Sequence, residues 1–110
     1  MSTSTIINVN KSRVFFERRE LNLVLSLYGR MVAAGEWRDY AMDALDDRAV
    51  FSIFRRASEA PLYQVEKRPA LARKQGAFAV LNAAGLILKR GHELAPVLNF
   101  LEPKRLRAVD

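Results

Sequence analysis

Hydrophobic and polar residues change rhythm twice along this chain. From Arg18 to Gly35, Leu21, Val24, Leu25, Tyr28, Met31 and Val32 recur at three- and four-residue steps, and Gly35 falls where a left-handed cap would end the helix. From Ala49 to Leu101 the rhythm shortens. Four brief apolar runs each end in a turn, three of those turns carry paired basic residues, and the last leads through Lys89-Arg90-Gly91-His92 into a second helical pattern.

Each run has its own signature. Ala49 to Arg56 is apolar on both faces, as a strand flanked by neighbours would be. Pro61 precedes Leu62 to Lys67, where Tyr63 and Val65 share one face and Gln64 and Glu66 the other. Ala77 to Leu81 and Leu86 to Lys89 flank Asn82-Ala83-Ala84-Gly85, a hairpin turn. Leu94, Val97, Leu98 and Leu101 form a stripe on a short helix, with Pro96 in its first turn and Pro103 after its end. Trp37 to Leu45 fits a helix through Trp37, Tyr40, Ala41, Ala44 and Leu45, and a strand through the alternation of Asp39, Ala41 and Asp43 with Tyr40, Met42 and Ala44. The strand is the preferred reading. Met1 to Asn10 and the tail from Glu102 to Asp110 read as loose, with a short strand entertained near Val14 to Phe16. Gly29, inside the first helix, points to the close approach of another backbone, although a tolerated flaw is the alternative. Short connections favour an α+β fold: an N-terminal helix, an antiparallel four- or five-stranded meander and a C-terminal helix. Residues 1–110 form a single domain, with the ordered core at about 14–101.

Composition narrows the setting. A chain of 110 residues that is 50% hydrophobic can bury a real core. It contains no cysteine, which excludes disulfides, thiolate nucleophiles and Cys-type zinc sites and suits a reducing cytoplasm. No run approaches the ~20 apolar residues of a membrane span, so no membrane partner is expected. The net charge is +6, unevenly spread. Glu36 to Asp47 holds five acids and one base, whereas Arg48 to Gly91 holds nine bases and two acids. That asymmetry suits an anionic partner, and it also suits plain solubility.

Catalytic chemistry finds little support. His92 is the only histidine, so a catalytic triad or a His-based metal site lacks partners, and a capping or surface role is the plainer reading. Asp39, Asp43, Asp46 and Asp47 lie in a hydrophilic stretch with no apolar pocket to raise a pKa. The five glycines form no phosphate-binding pattern. No enzyme and no cofactor are expected. Phe51, Phe54, Tyr63 and Phe78 could stack on bases, yet on strands packed by helices they are more often core.

Strand direction gives the basic residues a sharper meaning. In a meander, Arg48, Lys67, Arg68, Arg73, Lys74, Lys89 and Arg90 all fall at one end of the sheet, because each starts an upward strand or ends a downward one. Gly91 and His92 stand where the second helix opens at that end, adding free N–H groups. Arg55 and Arg56 fall at the opposite end. Asp46, Asp47 and Glu66 could lie beside this pole, and seven bases against three acids leave +4. A solvated, partly neutralised rim is therefore the plain alternative to a binding site.

The stretches LYGRMVAAGEWRDYA (Leu27 to Ala41), VFSIFRRASEAPLY (Val50 to Tyr63), EKRPALARKQGA (Glu66 to Ala77) and LILKRGHELAPVL (Leu86 to Leu98) resemble the small bacterial proteins catalogued as domain of unknown function 2794. The similarity runs from about Val14 to Leu101. It implies no activity, substrate or binding residues. The expected function is a small basic binding module that takes nucleic acid at the pole with little regard for sequence. The alternative is an accessory whose rim meets an acidic protein or whose C-terminal helix makes a homodimer.

Overall fold

The computed structural model describes residues 13–56 and 60–103. Met1 to Asn10 and the tail beyond Pro103, expected to be loose, lie outside them, but Glu102, where that tail was expected to begin, is held by an ion pair with Arg30. Helix α1 (Arg18–Ala33) begins where the Glu17 backbone N–H donates to the Glu20 carboxylate at 2.7 Å, the reciprocal contact of a capping box. It ends on Gly35, whose φ of +80° lets the chain reverse. There the Gly35 N–H reaches Val32 O and the Glu36 N–H reaches Met31 O, both at 2.9 Å, a Schellman pair that satisfies carbonyls the helix leaves open.

Past buried Trp37 the chain forms strand β1 (Asp39–Ala44), so the alternation over 37–45 prevails over the helical spacing. Strands β2 (Ala49–Phe54), β3 (Tyr63–Lys67), β4 (Phe78–Asn82) and β5 (Ile87–Gly91) follow, and helix α2 (Leu94–Asn99) closes the domain. The sheet order is β1-β2-β3-β4-β5 with every neighbour antiparallel. This is the α+β meander with five strands. In the β4–β5 turn, Asn82 Oδ1 accepts from the N–H groups of Ala84 and Leu86, which fixes the hairpin without a side-chain partner elsewhere.

Both helices pack on one face of the sheet. Val24, Leu27 and Met31 of α1 and Leu94, Val97 and Leu98 of α2 meet Phe51, Ile53, Val65 and Val80 in one core. Phe51 is its centre, fully buried and stacked on Tyr40 with ring centroids 4.9 Å apart. Tyr28 sits edge-on to both rings. Burial raises the Tyr28 pKa first, and the charge of Asp39 and the neighbouring Tyr40 add to it. Leu101 stays in the core although α2 ends at Asn99, because the N–H groups of Phe100 and Leu101 bond three residues back and tighten the last turn. The expected apolar stripe is intact.

Two local expectations fail. No strand forms over Val14 to Phe16, since the Val14 N–H to Leu45 O bond of 2.8 Å is its one backbone link to the sheet and a ladder needs more. Gly29 does not mark a close approach: a Cβ added there would meet nothing within 4 Å. Among the described residues no helix is long and apolar enough to cross a membrane.

Candidate functional site

The sheet register aligns Ala49 with Lys67, Lys67 with Phe78 and Phe78 with Gly91. Arg48 therefore precedes β2, Lys67 and Arg68 end β3, Arg73 and Lys74 follow in the next loop, and Arg90, Gly91 and His92 close β5, all at one end. Lys89 stands two residues inside β5, opposite Val80. Arg55 and Arg56 follow Phe54 at the other end.

Within the pole the cations differ sharply in how they are engaged. Arg48 reaches Asp47 at 3.0 Å and Glu66 at 3.4 Å, while Arg68 reaches Asp47 and Glu66 at 3.0 Å each. These four groups form a closed, electrically neutral ring around the nearly buried Glu66. The Glu66 hydrogen bond is the main reason the Arg68 pKa is raised. Desolvation alone would raise the Asp47 pKa, but the charges of Arg48 and Arg68 outweigh it and hold the carboxyl below the usual carboxylate range. Lys67 points to the helix side, where its Nζ donates to Glu20 Oε1 at 2.8 Å and to Phe15 O at 3.0 Å. Asp46 lies in the same turn as Asp47 at the pole but makes no ion pair with a described residue, and Glu20, paired with Lys67, adds a further acid there.

The remaining cations belong to a pinned loop and its neighbour. The Arg68 N–H donates to Ala77 O at 2.7 Å and closes the base of a loop that begins with a 3-10 turn, Pro69–Leu71. Arg90 Nη1 donates to Gly76 O at 3.0 Å. His92 Nδ1 lies 3.1 Å from Ala72 O, and because a carbonyl only accepts, Nδ1 carries the proton. Gly76, with φ +112°, lies so close to β5 that a Cβ there would fall 2.3 Å from the Gly91 carbonyl. The loop is thus fastened to β5 along its length. It presents the side chains of Arg73 and Lys74 to solvent, and neither these nor the Lys89 side chain bonds or pairs with any described residue.

His92 thus bonds the loop from an exposed position. Its ring also lines a groove of about 460 Å³ with Arg19, Glu20, Leu23, Phe78 and Glu93. Glu93 is the residue before α2, so a carboxylate stands at the helix opening where an anion was expected to be held. A helix of six residues also carries little dipole. Arg19 is the cation that sequence reasoning missed. Its only signal was proximity to Glu20, whose pairing with Lys67 brings the start of α1 to the pole.

The aromatic residues do not form a platform. Phe51 is core, and Tyr63 and Phe78 pack against that core half-buried. Phe54, paired with Asp39, lies at the far end of β2. Among the described residues no group of three or more His, Asp or Glu could hold a metal ion.

Searches of the curated proteins and of the solved structures found no match to this chain. A family model described as "Protein of unknown function" matches residues 14–98, from the segment before α1 into α2. The match takes in every strand and the whole basic pole, and the chain belongs to the family of proteins of unknown function designated DUF2794.

Proposed function

We propose that the protein is a non-enzymatic binding module that holds nucleic acid on the free cations of its basic pole. The observation that carries this reading is the fastened loop. Arg73 and Lys74 are held out by a backbone that three separate contacts tie to β5 and the residue after it, yet their side chains have no partner among the described residues. Cations displayed on a rigid support lose less entropy on meeting phosphate than cations on a mobile one. Arg19 lines a groove with His92 at the same end, and Lys89, at the middle of β5, extends the surface along the strand.

Such contacts go to phosphate and carry no sequence information. The engaged residues change the expected strength. With Arg48, Lys67 and Arg68 already paired to carboxylates and Arg90 bonded to a backbone carbonyl, three of the seven remain with free side chains, Arg73, Lys74 and Lys89, and Arg19 makes a fourth. At about 0.9 per phosphate neutralised, they give a log-log salt slope of about 3.6 on duplex DNA, against about 6.3 if all seven sequence-predicted cations took part. Titrating labelled duplex DNA and RNA at several salt concentrations measures that slope. Absence of binding at low salt rejects the reading.

The same neutral ring favours the second reading, an accessory protein without nucleic acid, because it shows how much of the pole's charge serves the fold. An acidic protein taken at the same cations, with no affinity for DNA or RNA, decides for it. Either reading fits a cysteine-free chain working in a reducing cytoplasm.

A further inference from the structure

The acidic stretch from Glu36 to Asp47 folds into β1, one of the two edge strands of the sheet. Strand β1 borders β2 on one side, and all but its last residue are exposed. The Leu45 N–H bonds to Arg48 O at 2.8 Å in the hairpin turn, and hydrogen-bonded pairs recur at every second residue of an antiparallel ladder. Asp43 and Ala41 therefore face β2, and the N–H and C=O groups of Tyr40, Met42 and Ala44 face outward. Two of these groups are already used: the Tyr40 N–H donates to Asp39 Oδ1 at 2.8 Å, and Ala44 O accepts from Arg13 at 2.8 Å. Among the described residues, nothing bonds Tyr40 O, either group of Met42 or the Ala44 N–H from the outer side.

Side chains on the two faces of this edge differ in kind. Tyr40 and Met42 lie on the helix side, 41% and 45% exposed, and Met42 borders an apolar groove of about 220 Å³ with Phe15, Phe16 and Ala44. Phe15 is 60% exposed beside it. Asp39 and Asp43 lie on the other face, about 13 Å apart at the usual rise of a strand. Neither carboxylate forms an ion pair with a described residue, although Asp47 and Glu36 nearby do.

We propose that β1 is a docking edge for an extended basic segment of a partner protein, added as a sixth strand. The required pattern follows from the edge: two basic residues four apart to meet Asp39 and Asp43, alternating with apolar residues that cover Tyr40 and Met42 and reach the groove beside Phe15. Main-chain bonds supply affinity and the alternating side chains supply selection, as in other strand-addition complexes. The acidic pair also disfavours a second copy of this chain: the register that sets Tyr40 against Met42 of the copy sets Asp39 against Asp43, and like charges directly opposite destabilise. This surface is separate from the basic pole, so its test stands apart from that of the nucleic-acid reading.

The test uses a fluorescent peptide of sequence Thr-Lys-Val-Thr-Val-Lys-Thr and the full chain, read by anisotropy. Saturable binding is expected, weakened about ten-fold by Asp43→Lys and abolished when the peptide's edge-facing amides are N-methylated. The melting curve of the Asp43→Lys variant, exposed in the free protein, should match that of the parent. Equal affinity for a peptide with Glu in place of Lys, or for the N-methylated one, overturns the proposal. So does absence of binding.

Discussion

Replacing Gly76 with Ala should damage the protein more than any other exchange of a glycine for alanine in it. Two costs add. The backbone at φ +112° is one that side chains with a Cβ rarely adopt, at about 1–2 kcal/mol. The new Cβ would also lie 2.3 Å from the Gly91 carbonyl carbon and oxygen and 2.8 Å from His92 N, all backbone atoms that cannot rotate away. The loop must lift from β5 to make room. Lifting it breaks the Arg90 to Gly76 and His92 to Ala72 hydrogen bonds, at about 1 kcal/mol each. The total is about 3–4 kcal/mol, which for a domain of this size lowers Tm by more than about 12 °C. Gly85→Ala is the control: its φ is +86°, but a Cβ there meets nothing within 4 Å, so only the first cost applies. Thermal melts of both variants by circular dichroism measure the difference. A Gly76→Ala protein no less stable than Gly85→Ala would refute the close packing of loop against strand.

Three further outcomes are expected. Gly29→Ala should stabilise the fold by up to ~1 kcal/mol in a denaturant titration, because the helix gains a better former and the added methyl meets nothing. Since burial, then Asp39 and Tyr40, raise the Tyr28 pKa, the neutral phenol is favoured in the folded state: stability should hold below the ordinary tyrosine value of about 10 and fall as pH rises through the raised folded value. Tyr28→Phe should flatten that alkaline limb in pH-dependent melts. Phe100, 50% exposed beside the buried stripe of α2, is the proposed contact of a homodimer, and light scattering at high concentration should report more than the 12.5 kDa chain.

Much of this fold was legible because period and burial agree. The run Ala49 to Phe54 is apolar on both faces, and β2 is buried on both; Tyr63 and Val65 of β3 turn to the helix-side core as their alternation predicts, although Glu66 on the other face is buried as well. The Gly35 cap and the hairpin turn after Asn82 followed from chemistry confined to a few neighbouring residues. Gly29 shows the limit: its reading depended on what lay beyond the helix, and open space leaves no mark in the sequence. The pole shows the same division. Strand direction alone put Arg48, Lys67 and Arg90 at one end. Which of these cations are free depended on pairings between residues as distant as Glu20 and Lys67, or Asp47 and Arg68, that no local pattern records.

The central claim is that the fastened loop, and not the chain's diffuse positive charge, holds the polyanion. The most direct measurement compares the salt dependence of duplex DNA binding in two double variants, Arg73→Ala with Lys74→Ala and Arg55→Ala with Arg56→Ala, each removing two charges from opposite ends of the sheet. The loop variant should bind more weakly and lose about two units of log-log slope, while the other should keep most of both. Equal losses from the two variants would contradict the account.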